Sequence, residues 1–181
     1  MIGLVILANG FEDTEALTTI DVLKRAKIDV TTATINEDLE VVSQYGHVIK
    51  ANALLRKVNF NDFDFLVIPG GKAVYNHLLN NNEVHDCVMN FYNSKKLIAA
   101  ICAGPMVLGK LGILKNLEYT CFPGCEDAIE GLKVDKNVVV TEMIITGRSM
   151  YYSIEFALEI VNKLLDNNTK DSILKSIKGI A

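Results

Sequence analysis

The sequence predicts an α/β fold with a mostly parallel central sheet that is covered by helices on both faces. Short apolar runs, such as residues 2–8 and 97–101, indicate buried strands, and amphipathic helical segments follow them. Strands and helices that alternate in this way form parallel sheets. Hydrophobic residues make up 50% of the 181 residues, and the chain shows neither a repeat nor a linker. We therefore expect residues 1–181 to form a single domain.

The individual elements follow from the apolar periodicity, taken in chain order. A strand over 2–8 precedes a helix over 14–26, which Asp13 or Thr14 is expected to cap, and a second strand covers 28–35. A hairpin over 40–49 is expected to turn at Tyr45-Gly46. The remaining predicted elements are a strand at 63–68, helices at 72–79 and 84–93, a strand at 97–101, a helix from Met106, strands near Tyr119, at 138–141 and at 144–146, and helices at 153–165 and 170–177.

Composition and charge exclude several classes of function. The net charge of −4 favours neither nucleic acid nor an anionic membrane surface as a partner. No segment resembles a signal peptide or approaches the roughly 18 consecutive apolar residues of a membrane span, so we expect a cytoplasmic protein. The cysteines are expected to be free thiols; they are Cys87, Cys102, Cys121 and Cys125. A zinc site is not expected, because the pair at 121 and 125 has neither a second pair nor a nearby histidine.

The strand over 97–101 ends at a cysteine, Cys102, in a setting that suits a nucleophile. Ala103-Gly104-Pro105 permits a sharp turn into the next helix. Ligands of α/β sheets bind at the carboxyl ends of strands. The positive end of the following helix dipole is expected to favour the thiolate, which is the nucleophilic form. The alternative is a buried structural cysteine.

Two other strand ends carry polar or glycine-rich loops. Glu12, Asp13 and Glu15 follow the first strand, although acids in a first helical turn also complement the helix dipole. Gly70-Gly71 follows the strand over 63–68 and can leave peptide N–H groups uncovered, as an oxyanion site requires. The alternative for this turn is an ordinary strand-to-helix connection. Because these ends share one edge of a parallel sheet, we expect them to converge on the cysteine.

Three sequence strings carry a resemblance to a known family. They are AAICAGP at 99–105, VIPGG at 67–71 and GFEDTE at 10–15. Together they resemble the ThiJ/PfpI superfamily and, within it, the parkinsonism-associated deglycase (DJ-one-like) branch. The resemblance covers nearly the whole chain. It implies a flavodoxin-like sandwich and a homodimer.

The resemblance also implies the roles of particular residues. Cys102 is the reactive cysteine on a strained elbow, and Glu15 is the protonatable glutamate beside it. The backbone N–H groups of Gly71 and Ala103 form the oxyanion site. The remaining pocket residues that we expect are Gly70, Phe122 and Arg148.

The chain departs from the family pattern at several positions. Phe122 stands where many relatives carry a histidine, and Tyr45 stands where relatives carry an arginine. Ser149-Met150-Tyr151-Tyr152 replaces a glycine-proline-glycine-threonine run, and we expect the tyrosines to narrow or reline the pocket mouth. The histidines are expected to be solvent-exposed and structural; they are His47, His77 and His85.

The function that the resemblance implies, and that these residue types fit, is that of a cofactor-free cysteine enzyme, a glutathione-independent glyoxalase or a deglycase. It needs no metal, and its partner is a small aldehyde or a glycated substrate. The alternative is a redox sensor or chaperone in which oxidation of Cys102 is the signal. An intracellular peptidase is less favoured, because Ala103 stands where that branch carries a histidine. No residue supports thiamine biosynthesis, and a purely structural role is the remaining alternative.

Overall fold

The computed structural model describes residues 1–180; the last residue of the predicted domain, Ala181, lies outside them. The strands in this range are β1 (Ile2–Leu7), β2 (Asp29–Thr34), β3 (Glu40–Val42), β4 (Val48–Lys50), β5 (Ala53–Leu54), β6 (Phe65–Ile68), β7 (Leu97–Ile101), β8 (Glu118–Tyr119), β9 (Leu132–Lys133), β10 (Val138–Val140) and β11 (Ile144–Gly147). The α-helices are α1 (Asp13–Arg25), α2 (Asn82–Asn93), α3 (Pro105–Lys110), α4 (Ser153–Leu164) and α5 (Asn167–Lys178). Most of these elements match the predicted ones.

The central sheet has seven strands in the order β10-β11-β7-β6-β1-β2-β5. Every neighbouring pair is parallel except β10 and β11, which run antiparallel. All residues of β6 and β7 are buried. Because successive side chains of a strand point to opposite faces, both faces of the sheet are covered. The predicted mostly parallel α/β sheet is confirmed.

Helices supply this cover. Helix α1 packs against α4, α4 also packs on β7 and β11, and α2 packs on β6 and β7. The hairpin of β3 and β4 is antiparallel, as predicted, and turns at Tyr45-Gly46. None of the helices formed by residues 1–180 is long and apolar enough to cross a bilayer.

Some local predictions were wrong. The N-cap of α1 is Glu12 rather than Asp13 or Thr14: its Oε2 atom accepts a hydrogen bond of 2.7 Å from the backbone N–H of Glu15. The predicted helix over 72–79 is a π-helical turn, Val74–Leu78. Strands β5 and β9, of two residues each, were not predicted. The different N-cap leaves the Asp13 side chain available for another contact.

Candidate active site

The carboxyl ends of β1, β6 and β7 meet at one place, since these strands are neighbours in the sheet. Glu15, in the first turn of α1, follows β1, and its Oε2 atom accepts a hydrogen bond of 2.8 Å from the backbone N–H of Gly70, which follows β6. Phe11 forms an isolated β-bridge with Gly71. Cys102 follows β7 directly and lies beside Glu15. The structure therefore brings the three predicted loops together.

The backbone of Cys102 has the strained conformation of an elbow. Its φ angle is +64°, in the left-handed region, which costs an L-residue about 1–2 kcal/mol. Two hydrogen bonds of 2.9 Å hold the residue: its N–H donates to the carbonyl of Gly147, and its carbonyl accepts from the N–H of Phe122. This conformation directs the side chain of Cys102 into the space between β6 and the start of α1.

Two glycines make room for this arrangement. A Cβ atom at Gly70 would lie 2.6 Å from both Cys102 Cβ and Glu15 Oε2. Gly71 has a φ of +90°, and a Cβ atom there would lie 2.5 Å from the nitrogen of Glu12 and from the carbonyl oxygen of Gly10. Any larger residue at either position would separate Cys102 from Glu15 or distort the loop before α1.

The Glu15 carboxyl is isolated from water, with none of its surface exposed. Burial raises its pKa from 4.5 to about 7, although the contacts with Cys102 and with the N–H of Gly70 oppose this shift. Its second oxygen, Oε1, has no hydrogen-bond partner in the part of the chain that the structure describes. The group is therefore poised to gain or lose a proton near neutral pH.

The surroundings of the Cys102 thiol differ from the prediction. Burial raises the pKa of the thiol, and the negative charge of Glu15 raises it further. The N–H groups of Gly71 and Ala103 act in the opposite direction but do not outweigh these effects. The prediction that the site favours the thiolate was wrong in sign. Helix α3 has only six residues, so its dipole cannot compensate for burial.

Cys102 and Glu15 consequently titrate as a coupled pair. Two adjacent negative charges in a buried site repel each other, so the pair retains one proton near neutral pH. That proton lies either on sulfur or on the carboxyl group. The N–H groups of Gly71 and Ala103 stabilise the form in which sulfur carries the charge.

A cavity of about 620 Å³ opens above this pair. Of the residues predicted for the site, the cavity is lined by Glu15, Gly71, Cys102, Ala103 and Phe122. Gly70 is buried behind Cys102 and Glu15, as its hydrogen bond to Glu15 requires.

Two predictions about the pocket were wrong. Arg148 lines a separate, smaller cavity, where it forms an ion pair with Asp135. The cavity mouth is lined by Ser149 and Met150 rather than by the tyrosines that follow them. The two tyrosine rings instead pack edge to face on each other, with centroids 5.1 Å apart.

The cavity also contains residues that sequence reasoning missed. Tyr75 lines it, and its hydroxyl lies 2.9 Å from Cys125 Sγ, a contact that with burial raises the pKa of Tyr75 to about 12. His47 and Asp13 line it too, with Nδ1 and Oδ1 only 2.6 Å apart. His47 is exposed, as predicted, but it faces the cavity. The spacing of His47 and Asp13 along the sequence gives no signal of this pairing.

Nothing in residues 1–180 resembles a metal site, since no group of three or more histidine, cysteine, aspartate or glutamate side chains is suitably placed. The polar groups of the cavity are the nucleophile, the carboxyl groups and the imidazole described above. They suit covalent and proton-transfer chemistry.

A model of the DJ-1/PfpI family matches residues 3–163. The chain belongs to the DJ-1/PfpI family. This finding confirms the resemblance seen in the sequence strings around Glu15, Gly70 and Cys102.

Family members of known name or structure resemble the chain over most of its length. DJ-1 homolog B from Arabidopsis thaliana is 36% identical over 162 residues, which is 88% of this chain but only 37% of that protein. A protein named deglycase from Pyrococcus horikoshii is 32% identical over 80% of this chain and 88% of its own length. The crystal structure of a DJ-1 superfamily protein from Salmonella typhimurium superposes with a TM-score of 0.92, at 32% identity, covering 98% of this chain and 97% of that one. The predicted fold is therefore confirmed.

Proposed function

We propose that this DJ-1/PfpI protein is a cofactor-free cysteine enzyme that acts on 2-oxoaldehydes or on glycation adducts. The observation that carries the proposal is the coupled pair: Glu15, with its pKa raised to about 7, lies beside Cys102 at the base of one cavity. Relatives named deglycases support an enzymatic activity on small carbonyl compounds or their adducts.

The first step makes use of the shared proton. Cys102 transfers its proton to the Glu15 carboxylate, and the sulfur attacks the aldehyde carbon of a 2-oxoaldehyde such as methylglyoxal. The carbonyl π electrons move onto oxygen as the carbon–sulfur bond forms, and Glu15 then protonates that oxygen. The N–H groups of Gly71 and Ala103 stabilise the negative charge on sulfur before attack and on oxygen afterwards. The product of this step is a hemithioacetal.

The second step moves a hydrogen between neighbouring carbons. The Glu15 carboxylate removes the proton from the carbon that is bonded to sulfur, which gives an enediolate, and the enediol hydroxyl proton shifts between the two oxygens. Glu15 then protonates the second carbon, and the result is a thioester of a hydroxy acid on Cys102. A carboxyl group that titrates near neutral pH can act in both directions of such a transfer. Hydrolysis of the thioester releases the hydroxy acid.

Glycation adducts can enter the same chemistry. The early adduct of a 2-oxoaldehyde with a protein or nucleotide amine keeps an electrophilic carbon, which Cys102 can attack. The cavity opens to the surface beside Tyr45 and Met150, so the amine-bearing part of such a substrate can remain outside. The same two residues therefore serve both substrate classes.

A redox role for Cys102 is the second candidate function. All four cysteines are free thiols; Cys87, Cys121 and Cys125 are buried, whereas Cys102 is partly exposed. Oxidation to sulfenic and then sulfinic acid requires an accessible sulfur, so an oxidant meets Cys102 first. In this proposal, a redox sensor or chaperone responds to the oxidised residue.

A direct experiment separates the two candidates. Lactate production from methylglyoxal is measured without glutathione for the wild type, Cys102→Ser and Glu15→Gln. The enzyme proposal predicts turnover in the wild type and its loss in both variants. A wild type that makes no lactate, while its Cys102 oxidises readily to the sulfinate, would establish the redox role instead.

We also propose that the chain forms a homodimer, as its family resemblance implies. Large apolar side chains on its surface could be buried by a second copy, among them Leu17, Tyr151 and Ile154. Light scattering coupled to size-exclusion chromatography measures the mass directly. A monomer at micromolar concentration would contradict this proposal.

A further inference from the structure

We propose that His47, held by Asp13, is the general base that activates water for hydrolysis of the Cys102 thioester. This inference rests on the proposed glyoxalase function and assigns the one step in it that needs a base on the open side of the cavity. Glu15 is a carboxylate again by then, but it lies behind Cys102 with no exposed surface. The water must approach the thioester from the open side of the cavity, where His47 lies.

The pairing of His47 with Asp13 is direct. Nδ1 of the imidazole lies 2.6 Å from Oδ1 of the carboxylate. The Asp13 side chain is 16% exposed, whereas that of His47 is 73% exposed. Because Asp13 holds Nδ1, the nitrogen available to a molecule in the cavity is Nε2.

The hairpin of β3 and β4 is fixed against the catalytic loops, so the position of His47 is not incidental. The N–H of Gln44 donates to the carbonyl of Phe11 over 2.8 Å, and Gln44 Oε1 accepts from the N–H of Lys72 over 2.9 Å. The N–H of His47 donates to Ser43 Oγ over 3.0 Å. The bonds of Gln44 tie the hairpin to the loop between β1 and α1 and to the loop after β6, and the bond of His47 holds that residue within the hairpin.

Asp13 has the properties of an orienting carboxylate. Burial acts to raise its pKa, but hydrogen bonds from Ser43 and His47 outweigh burial and lower the pKa below its usual value. Its second oxygen, Oδ2, is buried without a hydrogen-bond partner among residues 1–180. A carboxylate in this state is stabilised when the neighbouring imidazole becomes positively charged, which happens when His47 accepts a proton.

No other histidine can take this role. The chain has three histidines. His85 Nε2 lies 2.9 Å from the carbonyl oxygen of Leu79, and His77 is exposed on the π-helical turn; neither lines the cavity. His47 is therefore the histidine that supplies an imidazole to the cavity.

The proposed step balances as follows. The oxygen of water forms a bond to the thioester carbonyl carbon, and one of its protons passes to Nε2 of His47. The carbon–sulfur bond breaks, and its electron pair stays on Cys102. The product's carboxyl proton returns to Glu15, and the imidazolium releases its proton to solvent. The sum is hydrolysis of the thioester to a hydroxy acid anion and one proton.

The test compares His47→Gln with Asp13→Asn and with the matched control His77→Gln, which alters an exposed histidine outside the cavity. Each protein is mixed with methylglyoxal, lactate is measured, and the intact mass shows any acyl group on Cys102. For His47→Gln we expect a loss of turnover of about 10²-fold together with accumulation of the lactoyl thioester. Asp13→Asn is expected to change both quantities in the same direction but by less, and His77→Gln to match the wild type. Hydroxylamine, which attacks thioesters without a base, should release the accumulated acyl group.

The readout of acylation excludes a merely structural effect. A His47→Gln protein that had lost its fold would fail to become acylated, so accumulation of the acyl-enzyme itself shows that the fold and the first step are intact. Unchanged turnover in His47→Gln, or lower turnover without an acyl-enzyme, would overturn the role of His47 alone. Absence of both lactate and acyl-enzyme in the wild type would overturn the proposed function and this inference with it.

Discussion

Cys102 and Cys87 are both free thiols whose pKa is raised by burial, yet the structure gives them different neighbours. Burial raises the pKa of Cys87 to about 12, and burial is also the largest effect on Cys102. Cys87 lies inside α2 with none of its surface exposed. Cys102 lies at the end of β7, where a carboxyl group, two backbone N–H groups and a cavity adjoin the sulfur.

The comparison shows that the acidity of the isolated thiol does not distinguish the two cysteines. What distinguishes them is a neighbouring group that can accept the proton of the thiol. Cys102 can pass its proton to Glu15 without changing the charge of the buried pair, whereas ionisation of Cys87 would place a new charge in the core. The proposed reactivity of Cys102 therefore rests on what the neighbouring strand ends place beside its sulfur.

The largest expected effect tests the comparison directly. Cys102→Ser is expected to lower the turnover of methylglyoxal by about 10³-fold or more, because the nucleophile is lost. Cys87→Ala is expected to leave turnover within about twofold and to cost about 1 kcal/mol of stability, since it removes one buried sulfur atom. Lactate assays and peptide mapping after limited iodoacetamide treatment give the two readouts. Equal labelling of both cysteines would contradict the difference that we draw between them.

The second prediction concerns the N–H group that faces Cys102 from Gly71. Gly71→Ala forces a Cβ atom to within 2.5 Å of the backbone of Glu12 and Gly10 at a φ of +90°, so we expect a loss of about 4 kcal/mol in stability and at least about tenfold in turnover. Gly46→Ala is the matched control. Its φ is also +90°, but nothing lies within 4 Å of the added atom, so only the backbone strain of about 1–2 kcal/mol is expected. Urea unfolding measures the loss of stability in each variant, and the difference between them is the contribution of crowding. Similar losses of stability in both variants would argue against crowding at Gly71.

The third prediction follows from the raised pKa of Glu15. Below its ordinary pKa of 4.5 the carboxyl is protonated in both the folded and unfolded states, and above about 7 it is ionised in both. Between these values only the folded state holds the proton, so the wild type loses stability as the pH rises, by about 3 kcal/mol in total. Glu15→Gln lacks this loss, so its stability relative to the wild type should increase from pH 5 to pH 8.

Thermal melts over that pH range measure the effect. Glu83→Gln, an exposed substitution in the first turn of α2 near Cys87, is the control and should show a difference from the wild type that hardly changes with pH. A parallel pH dependence for Glu15→Gln and the wild type would mean that the carboxyl has an ordinary pKa.

Much of the fold and the core of the site were predictable from the sequence. Continuous apolar runs mark β1, β6 and β7 because strands buried on both faces carry no polar alternation. The rule that ligands lie at the carboxyl ends of parallel strands then brings Glu15, Gly71 and Cys102 together without any distance information. Local signals therefore sufficed wherever the site is formed by strand ends.

The parts that were not predictable depend on contacts between distant segments. Asp13 and His47 are 34 residues apart, and their pairing depends on how the hairpin folds back over the loop after β1. The direction of the Cys102 pKa shift depends on burial and on the charge of Glu15, which no local sequence pattern reports. The prediction assigned Arg148 to the wrong cavity, because a position near a strand end does not show which cavity the side chain enters.

The smallest predicted effect returns to the two cysteines and concerns their backbones. At Cys102, where φ is +64°, Cys102→Gly should be more stable than Cys102→Ala by about 1 kcal/mol, because glycine adopts the left-handed conformation without strain. At Cys87, inside α2, the order should reverse by a similar amount, because glycine is a poor helix former. Urea unfolding of the four variants measures both differences. The same order of stability at both positions would show that the backbone of Cys102 is not strained. The direction of its side chain could then not be attributed to a strained left-handed conformation.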